Sequence, residues 1–375
     1  MKLAIPKERR PHEKRVAASP DTVKKFKQLG LDVVVETGAG MAARIPDAAF
    51  AEAGATIAPN EKDALAGADI VLKVQRPTAE EIPLIKKGAM LVAILAPYAD
   101  KEGIAALATA GIDSYAMEFM PRITRAQSMD VLSSQANLSG YKAVIDAAAQ
   151  YARAMPMMMT AAGTVAPARV MVFGAGVAGL QAIATARRLG AIVSATDVRP
   201  AAKEQVESLG GTFVAVIDDE FKQAETAAGY AKPMSEAYQQ KQAALIAETI
   251  KKQDIAICTA LIPGRKAPVL ISEEMVKTMK PGSIIVDLAV EQGGNCPLSK
   301  PGEIVEVNGV TLMGHLNVPS RIATDATALY AKNLLNFLTP LVEKGGQALK
   351  IDAEDEIIKG TCLTRGGNVV HPSVK

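Results

Sequence analysis

Tryptophan is missing from the 375 residues, and aromatics as a whole reach only 4%. Alanine, methionine and the branched aliphatics must therefore fill any core. Histidine occurs three times, at His12, His315 and His371. Cysteine also occurs three times, at Cys258, Cys296 and Cys362. The cysteines are far apart and odd in number. That argues against a disulfide framework or a zinc site, no metal site is expected, and a reducing compartment is implied. Cys258 lies in an apolar run and suits a small core position. Long apolar runs are lacking too. The longest, Gly88 to Ala99, holds 12 residues, against roughly 20 for a membrane-spanning helix. The opening MKLAIPKERRP has no apolar core of the signal-peptide type. Net charge is only +2, without a long basic run, which argues against nucleic acid as a partner.

What is present fits an α/β protein. The chain is 49% hydrophobic and 22% charged, and its length allows about two domains. Short apolar runs at Leu3 to Pro6, Val33 to Glu36, Ile70 to Val74, Met90 to Leu95 and Asp113 to Ala116 predict strands. Ser19 to Leu29, Asp47 to Ala53 and Lys101 to Ala110 predict helices between them. Such alternation means a mostly parallel sheet with helices on its faces. Ser134 to Met155 is Ala-rich and stops before Pro156, as a long connecting helix would, with Ser133 or Ser134 as its cap. Later strands are expected at Thr212 to Val216, Ile255 to Thr259, Ser283 to Leu288 and Thr311 to Gly314. Asp325 to Leu338 predicts a helix returning to the first domain. The tail, Leu349 to His371, predicts a strand-turn-strand around Arg365-Gly-Gly-Asn. Asp218 to Tyr238 has few large apolar residues and predicts a lid or an unpacked insertion.

The most specific stretch is RVMVFGAGVAGLQAIATARRLGAIVSATD, residues 169 to 197. A strand leads into Gly174-Ala-Gly176-Val-Ala-Gly179, a helix follows, then a second strand ending at Asp197. Gly174 permits the tight turn, Gly176 lets backbone approach a pyrophosphate, and Gly179 lets helix lie close to strand. The helix N-terminus faces the phosphates. Asp197 can take both ribose hydroxyls of NAD and would repel a 2′-phosphate. Arg199 complicates that reading, because arginine there can favour NADP. Three polar clusters stand beside it: Lys7 to Arg10 with Arg15, then Lys73 to Pro77, then MPRITRAQSMDVLSSQANLSGY from Met120 to Tyr141.

These motifs carry a resemblance that covers essentially the whole chain. MKLAIPKERRPHEKRVA, RAQSMD, FGAGVAGLQAIATA, TALIPG, DLAVEQGGNCP, NLLNFLTP and GTCLTR resemble the NAD(H)-binding component of proton-translocating NAD(P) transhydrogenases, in the form with a split alpha subunit. Alanine dehydrogenase is a wider resemblance. The resemblance implies two Rossmann-like domains with parallel sheets flanked by helices and a cleft between them. The first would comprise residues 1–133 plus 318–375, and the second, NAD(H)-binding domain, residues 134–317. It implies direct hydride transfer between NADH here and NADP+ on a partner, coupled to proton movement through a membrane component. The partners would be an NADP(H)-binding beta subunit and the membrane-spanning second chain of the split alpha subunit. A homodimer is implied, cytoplasmic and peripheral on the inner face of the plasma membrane. Carried over residue by residue, Arg122, Gln127, Asp130 and Ser133 hold the nicotinamide end. Val177, Ala178 and Gly179 meet the pyrophosphate, and Asp197, Val198 and Arg199 the adenosine ribose. Gly229, Gln242 and Leu261 complete the pocket, with Tyr230 at the tip of a mobile loop.

One departure separates the two families. Oxidative deamination needs a proton-transfer group, and the alanine dehydrogenases place a His after the strand that follows the Lys73-type motif. Here that stretch, MLVAILAPYA, has none. Arg15 and Lys73 match that enzyme's substrate-binding cations and are read as retained structural charges. Two alternatives stay open: an alanine dehydrogenase, and an NAD-sensing regulatory module.

Overall fold

The structure is a computed structural model that describes residues 1–224, 234–262 and 264–374. The chain divides into two compact units. One is Met1–Gln135 with Pro319–Lys375, the other Ala136–Val318.

Six strands open the first unit: β1 (Lys2–Ile5), β2 (Asp32–Glu36), β3 (Thr56–Ala58), β4 (Ile70–Gln75), β5 (Met90–Ile94) and β6 (Asp113–Ala116). The second unit carries the hairpin β7 (Met158–Thr160) and β8 (Gly163–Val165). It continues with β9 (Arg169–Phe173), β10 (Ile192–Thr196), β11 (Thr212–Phe213), β12 (Ile255–Cys258), β13 (Ile284–Asp287), β14 (Ile304–Val307) and β15 (Val310–Met313). The tail returns β16 (Cys362–Arg365) and β17 (Asn368–Val369) to the first unit.

The first sheet runs β17-β16-β6-β5-β4-β1-β2-β3. β1 to β6 pair in parallel, and the antiparallel hairpin β16–β17 extends one edge, with β16 antiparallel to β6. Leu3, Ile5, Ile70, Leu72, Leu91 and Val92 are all fully buried. Continuous apolar runs of this kind are what strands covered on both faces require. The helix Pro20–Gln28 starts where Ser19 accepts from the Thr22 N–H, with Pro20 in the first turn. It buries Val23 and Phe26. The helix Ala323–Leu338 buries Tyr330, Leu334 and Phe337 in the same core.

The second sheet runs β11-β10-β9-β12-β13-β15-β14. With antiparallel β14 set aside, this is the doubly wound order 3-2-1-4-5-6. Cys258 lies fully buried in its core, as its apolar run predicts. The tail hairpin turns where Arg365 pairs with Asn368.

Several elements depart from the sequence reading. The long helix is Val131–Gln150, not Ser134 to Met155. Its cap is Asp130, whose carboxylate accepts from Ser133 N at 3.0 Å and from Ser133 Oγ. It ends early because Tyr151 and Met155 turn into the core and the Met155 carbonyl takes the Ala168 N–H. The strand expected at Thr212 to Val216 stops at Phe213. Beyond it, Val216 N donates to Gln242 and its carbonyl accepts from the Tyr238 hydroxyl. The strands β3, β7, β8 and β14 and the helix Glu356–Thr361 have no counterpart in the sequence reading. Asp218 to Tyr238 buries more than its composition suggests. Phe221 and Tyr238 are buried and stacked, and Glu220 accepts from Ser235 N and Oγ. Residues 225–233, including Gly229 and Tyr230, lie outside the described residues, and with them the expected lid. Among the described residues, no helix is long and apolar enough to cross a membrane.

Candidate functional site

The glycine fingerprint folds as a turn at the carboxyl end of β9, followed by the helix Val177–Arg188. Gly174 has φ +92°, a left-handed conformation that strains other residues. A Cβ on Gly179 would stand 1.8 Å from the Gly174 carbonyl oxygen. Helix and turn can approach this closely only without one. Gly140 does the same for the long helix, since its Cβ would stand 2.0 Å from the Ala178 carbonyl oxygen. Among the described residues, a Cβ on Gly176 would meet no atom within 4 Å. Gly176 caps the helix without a side-chain hydrogen bond, so no side chain of the cap takes up the first N–H groups there.

Asp197 follows β10 and turns back on the glycine turn. Its Oδ2 accepts from Ala175 N at 2.7 Å. Arg199 supplies three more bonds. Its N and Nε donate to Oδ1, and Nη2 donates to Oδ2, each at 2.9 Å. Gln242, from the helix Glu236–Ile250, donates to Thr196 Oγ1 and accepts from Val216 N. On the other side, Thr259 Oγ1 donates to the carbonyls of Phe173 and Gly174. Ala260 is clamped by Asn295, which accepts from its N–H at 3.1 Å and donates to its carbonyl at 2.9 Å. Asn295 is itself fully buried, with its N–H on Asp287. Val177, Val198 and Leu261 remain exposed although apolar. Glycine turn, Asp197 to Arg199, Gln242 and Leu261 are thus gathered around the carboxyl ends of β9, β10 and β12. That is where open α/β sheets bind ligands.

The first unit holds the other candidates. Thr124–Met129 is a short 3-10 helix that buries Ala126 and Met129 and exposes Gln127. It is tied down from outside. Arg125 grips Asp355 with two bonds, and Asn333 and Asn336 donate to the Ser128 carbonyl. Asp130 and Ser133 are bonded to each other, and Arg122 is exposed.

The cations matching alanine dehydrogenase are enclosed. Arg15 is 3% exposed, forked onto Glu13 and bonded to Gln135. Lys73 is 1% exposed, 2.6 Å from Glu81 and 3.6 Å from Glu8. Burial raises the Glu8 carboxyl despite Lys73. For Glu81 burial is outweighed by Lys73, so its carboxyl lies below the usual range. Burial, then Glu81, pushes Glu61 up to about 7, against Arg9 at 3.2 Å. At the stretch lacking the His, Ala96 has φ +49°. The half-buried Glu118 carboxylate holds that turn, accepting from Leu95 N at 2.9 Å and Ala96 N at 2.6 Å. Sequence reading missed Glu118, Asn295 and Gly140. Asn295 lies in the DLAVEQGGNCP motif and Gly140 in the polar cluster from Met120 to Tyr141, and either could have been flagged there.

Comparison with known proteins gives the family. Residues 4–139 match the N-terminal domain of the alanine dehydrogenase/PNT family, and residues 143–372 its C-terminal domain. The chain is 62% identical to the first chain of the split NAD(P) transhydrogenase subunit alpha of Rhodospirillum rubrum, over all of this chain and 99% of that one. A solved transhydrogenase from Sinorhizobium meliloti superposes with a TM-score of 0.90 at 57% identity, covering 99% of this chain and 100% of that one. An alanine dehydrogenase of Methanococcus maripaludis is 30% identical, over all of this chain and 94% of that one. The chain therefore belongs to the alanine dehydrogenase/PNT family, among the first chains of split NAD(P) transhydrogenase alpha subunits.

Proposed function

We propose that this chain is the NAD(H)-binding component of a proton-translocating transhydrogenase. The observation that carries the reading is the glycine turn with its open helix N-terminus and Asp197 beside it. Nothing among the described residues requires glycine at Gly176, whereas a phosphate lying against the backbone does. The uncapped N–H groups of Val177, Ala178 and Gly179 suit an anion. When bound, NADH supplies the hydride. The residues of this chain orient and enclose it. Asp197 and Val198 hold the adenosine ribose, with Arg199 beside them, and Gly229, Gln242 and Leu261 complete the pocket. Arg122, Gln127, Asp130 and Ser133 hold the nicotinamide end.

None of these groups needs to exchange a proton, which suits transfer between two nicotinamides. Acceptance of the hydride by NADP+ belongs to a partner beta subunit. Proton movement belongs to the membrane-spanning second chain of the alpha subunit. A homodimer peripheral to the inner face of the plasma membrane follows from the same reading. Alanine dehydrogenase is disfavoured by Ala96 and by the enclosed Arg15 and Lys73. Calorimetric titration tests the reading. NADH and NAD+ should bind far more tightly than NADPH, and Asp197→Asn should narrow that gap, since the lost charge no longer opposes a phosphate. Equal affinities for NADH and NADPH would remove Asp197 from this role.

A further inference from the structure

A carboxylate offers about four lone-pair sites, and Asp197 accepts four hydrogen bonds. Ala175 N and Arg199 N come from the backbone and belong to the turn. The other two come from the Arg199 guanidinium, one to each oxygen. Ribose hydroxyls need acceptor positions on that same carboxylate. The Asp197 side chain is 7% exposed and that of Arg199 32%. The guanidinium therefore covers the carboxylate from the solvent side, where a ligand must arrive.

Resting on the nucleotide reading above, we propose that Arg199 is an internal competitor for the ribose subsite. Its guanidinium occupies the positions on Asp197 that ribose hydroxyls take, and NADH binds by displacing it. The pair thus lowers affinity rather than adding to it. A ligand shifts an equilibrium only by its preference between the two states, and breaking the pair subtracts from that preference. The sign is opposite to that of a binding group. If Arg199 gripped the ribose, its loss would weaken NADH. As a competitor, its loss strengthens NADH.

The test is calorimetry of Arg199→Met with NADH and with reduced nicotinamide mononucleotide, which has no adenosine ribose. NADH should bind roughly threefold tighter or better, the scale of a partly exposed ion pair that no longer has to be broken. The mononucleotide should bind unchanged. Arg199→Lys keeps the charge but not the fork, and should fall between. Arg188→Met removes one exposed charge elsewhere and should not tighten binding. Thermal unfolding gives a second readout. Arg199→Met should melt lower than the natural protein without nucleotide, and the difference should vanish at saturating NADH, where the pair is already open. Weaker or unchanged NADH binding in Arg199→Met overturns the proposal and leaves the nucleotide reading standing. Equal tightening by Arg188→Met, or tightening of the mononucleotide, overturns it too. A natural protein that binds no NADH removes the nucleotide reading and this inference together.

Discussion

Ala96 and Glu118 bear on the choice between two proposed chemistries. A dehydrogenase acting on an amino acid must move protons at its substrate. Here the turn at Ala96 carries a methyl group, and the nearby carboxylate is spent on two backbone N–H groups. Purified alone, the protein should show no alanine-dependent reduction of NAD+, measured by absorbance. Robust turnover would contradict the assignment. Gln127 is exposed on a 3-10 helix anchored by Arg125, Asn333 and Asn336. Gln127→Asn shortens the side chain without loosening that support. With an NADP(H)-binding partner, it should cut single-turnover hydride transfer roughly tenfold or more while NADH affinity changes only a few-fold, because about 1 Å of misplacement costs rate steeply. Collapsed affinity with an unchanged rate would make Gln127 a binding group instead. At this scale the sequence shows the glycines and Asp197, because their spacing is fixed by a local strand–turn–helix. It hides Glu118 and Asn295. Their partners are backbone groups 23 and 35 residues away, so local spacing does not show what they hold, even for Asn295 inside the DLAVEQGGNCP motif.

Helix contacts set the next constraints. Gly140 lets the long helix touch the first turn of the helix Val177–Arg188. Gly140→Ala should force them apart at a cost of about 1–3 kcal/mol, seen as a Tm drop of several degrees. An unchanged Tm would mean that the helices yield freely. Glu61 begins the short helix Glu61–Leu65 and lies beside Glu81 and Arg9. Its carboxyl is raised to about 7 in the folded protein, from 4.5. Between those values the folded state binds the extra proton. Stability from this group is therefore full below about pH 4.5 and is lost as pH rises through 7. Glu61→Gln should raise Tm at pH 8 relative to the natural protein and change it little at pH 5. Equal effects at both pH values would show that Glu61 does not titrate there. Strand and helix positions are largely legible from period and caps. Ends are less so. The long helix stops at Gln150 because of tertiary bonds made by Met155, and β11 is cut short by Gln242 and Tyr238. Short edge strands such as β3 and β14 give too few residues for a period.

The whole molecule is built from two α/β units. Each is a mostly parallel sheet with one antiparallel edge, and each presents loops at its carboxyl ends. The chain's order, with the tail returning to the first unit, follows from the helix Ala323–Leu338 and the β16–β17 hairpin. One unit supplies a nucleotide-type cradle and the other an anchored polar segment. The turn at Ala96 carries a methyl group and no proton-transfer side chain. The proposed reaction is direct hydride transfer from NADH on this chain to NADP+ on a partner. The measurement is a rapid-mixing reaction of this protein, loaded with NADH deuterated at the transferable C4 position, with an NADP(H)-binding component loaded with NADP+. The deuterium should appear quantitatively at C4 of NADPH. No transfer, or deuterium lost to water, would contradict it.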